Sequence, residues 1–153
     1  MESTSSSTHT ETTTVPVTQD YVLPPAAHAA ALWSGLGLVT LLILAGYVIS
    51  RRQKHKVLLG DGEVPEMTRA TRVFGNATEY LPAGMAALVA MAVVGVGAWV
   101  VHLVGALLIA GRVAHAYGLS RSEGASPGRM AGIGLTFVAF LLAALALIFH
   151  GLF

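Results

Sequence analysis

The densest polar pattern in the chain is Arg72-x-x-x-Asn76-x-x-Glu79-Tyr80-x-Pro82, at the head of a long apolar run. Positions i, i+4 and i+7 of a helix share one face. Arg72, Asn76 and Glu79 would therefore set a cation, an amide and an acid in one row, with Glu79 roughly 10 Å along the axis from Arg72. An ionisable group at such depth in a membrane is costly, and it faces a bundle interior or a wet cavity. A second run places Arg112 and His115 at i and i+3, with Tyr117 pointing elsewhere as an interfacial anchor. Two structural roles compete with chemistry here. An Arg72–Glu79 or Glu79–Arg112 ion pair would only staple helices, and Arg112 could snorkel to the membrane surface. An arginine fork pairs with carboxylates and an acid pairs with an amine. A pocket built from these groups suits a small zwitterionic peptide.

These groups must be positioned by membrane helices. Of the 153 residues, 54% are hydrophobic and 11% charged, against about 25% charged in a typical soluble domain. All nine Lys and Arg fall in two stretches, Arg51 to Arg72 and Arg112 to Arg129, and long apolar segments flank both. Basic residues mark the cytoplasmic ends of membrane helices. Segment one, residues 26–50, has no charge and ends at Arg51-Arg52. The connection from Arg51 to Thr71 reads as a polar loop. Residues 80–111 carry no Lys, Arg, Asp or Glu. One helix of that length would measure roughly 48 Å, too long for a hydrocarbon core of about 30 Å. The reading is two spans with a turn near Gly95-Val96-Gly97, which keeps Arg72 and Arg112 on one side. The spans are then about 26–50, 72–95, 98–119 and 129–149, an all-α transmembrane four-helix bundle of up-down topology, with Pro82 inside the second helix. Both termini would lie outside and the polar cluster at the cytoplasmic face.

Residues 1–25 are Thr/Ser-rich and lack Lys and Arg, and they read as a disordered polar tail outside the membrane. The absence of cysteine excludes disulfides and a protein thiolate, so any thiol chemistry belongs to a substrate. The histidines show no metal-ligand spacing, and basic residues that flank lipid-length segments argue against nucleic-acid binding. A small proton-coupled exporter would need an acid within segment one, which has none.

The second-segment motif resembles that of the membrane-associated proteins in eicosanoid and glutathione metabolism, a family that includes the microsomal glutathione transferases. Arg112-Val113-Ala114-His115-Ala116-Tyr117-Gly118 is similar to a bacterial form of the family's third-helix motif. Arg51-Arg52 is similar in placement to its first basic pair. The resemblance covers residues 28–152. It implies a bacterial inner-membrane homotrimer that binds glutathione between subunits and takes a hydrophobic electrophile from the surrounding lipids. Arg51 and Arg72 would hold carboxylates, Asn76 the peptide and Glu79 the γ-glutamyl amine, with Tyr80, Arg112 and His115 completing the wall. Arg129, at the start of the fourth helix, would stabilise the glutathione thiolate for conjugation or peroxide reduction. Phe74 replaces a polar residue that the family often uses on glutathione, and His115 and Leu119 stand where its mammalian leukotriene-forming enzymes place tyrosines. The alternative is therefore a non-catalytic lipid- or peptide-binding protein, or a scaffold, of the same fold.

Overall fold

Proline opens three of the four helices. Its fixed φ suits the first helical turn, where its missing N–H is no loss. The computed structural model describes residues 22–121 and 124–153; most of the expected tail and part of the third connection lie outside the described residues. The helices are α1 (Pro25–His55), α2 (Pro65–Val93), α3 (Ala98–Arg121) and α4 (Pro127–Leu152). The described residues thus form an all-α four-helix structure. Helix α1 packs on α2 and α3, and α4 packs on α3 and α2, while α1 and α4 do not meet. The central pair α2–α3 therefore separates two lateral faces.

The connection after α1 is shorter than the sequence suggests. Helix α1 runs through its basic residues to His55, because Arg52, Lys54 and His55 sit favourably at the negative end of the helix dipole. Lys56 then stops it in a left-handed conformation, φ 56°, with its N–H on the Arg52 carbonyl. Helix α2 begins at Pro65, seven residues before the expected span. The Arg52 guanidinium gathers the loop by donating to the carbonyls of Leu58 (3.3 Å) and Gly60 (3.1 Å). Between α2 and α3 the chain reverses at Gly95, φ 84°, a value that a side chain disfavours. Helix α2 continues unbroken through Pro82.

Helices α1, α3 and α4 are long and apolar enough to cross a bilayer. Helix α2 keeps its charges, Glu66, Arg69, Arg72 and Glu79, in its first half. Leu42, Ile43, Leu141, Leu145 and Ile148 are exposed, as lipid-facing side chains are. Inside, Leu81, Leu88, Met91, Val101, Val104 and Leu108 form the core with Ala29, Ala139 and Ala143. Far from the basic end, the Trp33 indole donates to His102 Nδ1 at 3.1 Å and lies over Gly105.

The closest helix contact is α3 on α4. A Cβ at Gly132 would stand 2.5 Å from the His115 backbone nitrogen and 2.6 Å from the Gly111 carbonyl oxygen. Neither atom is a flexible side-chain end, so the helices must separate to admit even one carbon. Without a hydrophobic force between helices in lipid, such backbone approach is a main source of association. Gly132→Leu is expected to cost about 1–3 kcal/mol of stability, read as a lower melting temperature in detergent, whereas Gly134→Leu, whose Cβ meets open space, leaves it unchanged.

At the basic end Glu66 ties α1 to α2. Its Oε2 lies 2.7 Å from His55 Nε2, 3.3 Å from Lys54 Nζ and 3.5 Å from Arg51 Nη1. The His55 hydrogen bond, then Lys54, holds the carboxyl below its ordinary range. A depressed folded-state pKa means a contribution present above the unfolded value and lost as pH falls through the folded one. Wild-type melting temperature should therefore drop on acidification through the carboxylate range more than that of Glu66→Gln, which should start lower at neutral pH.

Candidate functional site

Three buried polar side chains, Arg112, His115 and Thr136, stand out in an otherwise apolar interior. Arg112 is 2% exposed. Its Nε donates to Thr136 Oγ1 at 2.9 Å, its Nη1 to Asn76 Oδ1 at 2.9 Å, and its Nη2 to the Gly132 carbonyl at 3.4 Å. Its Cζ lies 4.6 Å from the centroid of the Tyr80 ring. Among the described residues no carboxylate pairs with it. Neutral oxygens and a π-face therefore solvate this cation. Hydrogen bonds to a charged group are each worth about 1.5–3 kcal/mol, which offsets the cost of burial only when the set is complete.

Each partner has its own support. Thr136 Oγ1 donates to the Gly132 carbonyl at 2.8 Å, so its lone pair faces the guanidinium. Gly111 and Gly132 let α4 come close enough for that hydroxyl to reach. Tyr80 packs against Phe137 and Phe140 at centroid distances of 6.3 and 6.1 Å. Asn76 uses its oxygen on Arg112 and its amide nitrogen on Glu79 Oε2, at 3.3 Å. The amide is thus polarised between a cation and an acid. Neither ion pair that the sequence allowed forms among the described residues: Glu79 is exposed on α2 and reaches Arg112 only through Asn76.

Beside this core lies a cavity of about 590 Å³, lined in part by Arg72, Asn76, His115 and Arg129, within the usual range for small-molecule sites. His115 Nδ1 lies 3.2 Å from the Arg129 carbonyl. A neutral imidazole that donates there keeps its Nε2 lone pair for another partner. Ser126 caps α4 by accepting from the Arg129 N–H at 3.4 Å, and the Arg129 guanidinium donates to the Gly124 carbonyl. Three guanidiniums, Arg69, Arg72 and Arg129, one carboxylate, Glu63, an amide and an imidazole therefore line one cavity at the basic end.

Four of the eight sequence-derived site residues, Arg72, Asn76, His115 and Arg129, thus border one cavity. Arg112, Tyr80 and Glu79 form a layer around Asn76 and do not line it. Arg51 lies elsewhere in the chain, beside Glu66 and over Tyr47. Sequence reasoning missed Thr136, although a lone hydroxyl in the apolar run of the fourth segment was a usable signal. It also missed Thr68 and Arg69, on the early first turns of α2, and Glu63 in the connection before it, all of which line the cavity. Among the described residues no cluster of potential metal ligands occurs.

Comparison with known proteins gives these residues a context. A model described as "MAPEG family" matches residues 30–149. The "Inner membrane protein YecN" of Escherichia coli K12 is 34% identical over 117 residues, which cover 76% of this chain and 88% of that protein. Its counterpart in Escherichia coli O6:H1 matches to the same degree. The matched residues include α2 and α3 whole, most of α1 and α4, and every residue of the cavity and the Arg112 cradle, and the chain is an integral membrane protein that belongs to the MAPEG family.

Proposed function

We propose that this protein is a membrane-bound glutathione transferase. It binds glutathione at the basic, cytoplasmic end of a homotrimer and joins it to apolar electrophiles that enter from the bilayer. The observation that carries this reading is the cavity bordered by Arg72, Asn76, His115 and Arg129. Of its three guanidiniums, those of Arg72 and Arg129 suit the carboxylates and thiolate of glutathione. Asn76 suits the peptide. The exposed Glu79 suits the γ-glutamyl ammonium, and Arg51, remote from the cavity within one protomer, would approach it from a neighbouring subunit. A free thiol has a pKa near 8.5 and is mostly protonated at neutral pH. Lowering it by about 2 units requires roughly 2.7 kcal/mol, which Arg129 in a partly dry site would supply. Holding thiolate and electrophile together provides proximity.

A second reading, binding without turnover, draws on one observation. Leu119 lines the cavity where the family resemblance expects a tyrosine hydroxyl. Turnover of an aromatic electrophile separates the readings.

Titration of the purified protein with reduced glutathione should release heat that saturates. No heat at millimolar ligand would count decisively against the site. Arg72→Ala should weaken glutathione binding by about tenfold or more, the weight of one charge-assisted hydrogen bond. Arg129→Ala should lower the turnover rate by about 10²-fold, as loss of a charge-stabilising donor does, and should abolish thiolate absorbance of the bound ligand. Undiminished turnover in that variant contradicts the thiolate role.

A further inference from the structure

The second lateral face holds a groove with a different chemistry. Its volume is about 360 Å³, and it is cut between α1 and α3 with Val73 of α2 at its floor. Ile43, Leu44, Val113 and Ala116 give it apolar walls, and Tyr47 and Tyr117 flank it at the basic end. Each tyrosine carries a guanidinium. Arg51 Cζ lies 5.1 Å from the Tyr47 centroid and Arg121 Cζ 4.2 Å from that of Tyr117. The groove shares no lining residue with the first cavity. Adjacent residues, Arg72 and Val73 on α2 and His115 and Ala116 on α3, face the two sides of one wall. Within one chain, an electrophile in the groove would have to cross that wall to meet a thiol beside Arg129, so the two spaces are separate.

Its shape and charge fit a lipid. Thr40 to Tyr47 and Val113 to Ser120 each rise roughly 10 Å along helices that run into the bilayer, and the cations stand at the end where headgroups lie. Arg51 shares its charge with Glu66 at 3.5 Å, which leaves Arg121 the larger share of the attraction. We propose that the groove binds one acyl chain of an anionic glycerophospholipid, whose phosphate is drawn to Arg121 at the mouth. This inference stands independently of glutathione binding.

The test uses the full chain, purified in detergent and incubated with equal amounts of phosphatidylglycerol and phosphatidylcholine of identical chains, with retained lipid read by native mass spectrometry. The wild type should retain the anionic lipid preferentially. Arg121→Gln should reduce that preference roughly fivefold, the weight of one cation at an anionic surface. Val113→Trp, at a half-exposed position, should fill the groove and displace both lipids. If that variant does not fold, Ile43→Trp on the opposite wall serves the same purpose. Equal retention of the two lipids by the wild type overturns the proposal. So does an anionic preference that survives filling of the groove, because it would show surface attraction alone.

Discussion

The structure depends on keeping one guanidinium charged inside a membrane bundle. Arg112 has no acid beside it within the described residues, and its hydrogen bonds go to a hydroxyl, an amide and a backbone carbonyl from three places on α2 and α4. A buried cation that lost one of these would be left partly unsolvated, at a cost of several kcal/mol. The cradle therefore fixes the relative height and rotation of α2, α3 and α4 at their basic ends. It does so without neutralising the charge. The adjacent cavity carries three further guanidiniums, Arg69, Arg72 and Arg129, against one carboxylate, Glu63, so cations outnumber acids there before any ligand arrives.

That cradle exists because α3 and α4 touch backbone to backbone. Gly111 and Gly132 remove the side chains that would hold the helices apart. The same approach puts Thr136 within reach of Arg112 and the Arg129 carbonyl within reach of His115. Packing and site chemistry are here one arrangement. The stripe of small residues that associates the helices also sets the hydrogen-bond geometry of the two buried polar residues of α3.

Much of this was legible in the chain. The concentration of cations in two stretches, with no charge between Glu79 and Arg112, already required a reversal near Gly95, and Gly95 adopts the positive φ that such a turn needs. The periodicity sets Arg72, Asn76 and Glu79 on one helix face, and there Asn76 donates to Glu79. It could not show that Asn76 stands between Glu79 and Arg112, because that depends on how α3 rotates against α2. Nor could it reveal Thr136, whose role rests on the glycines opposite it. The sequence suggests a longer loop after α1, because Gly60, Gly62 and Pro65 punctuate the stretch that follows the basic residues. Here the basic residues complete the last helical turn and, at Arg52, gather the loop carbonyls.

The most direct measurement is an experimental structure of the protein in lipid with reduced glutathione at saturation. This account predicts one tripeptide per subunit in the cavity, a carboxylate on Arg72, its sulfur beside Arg129, and Arg112 still held by Asn76 and Thr136. An empty cavity at saturating glutathione, or Arg72 and Arg129 found at opposite membrane faces, would contradict it.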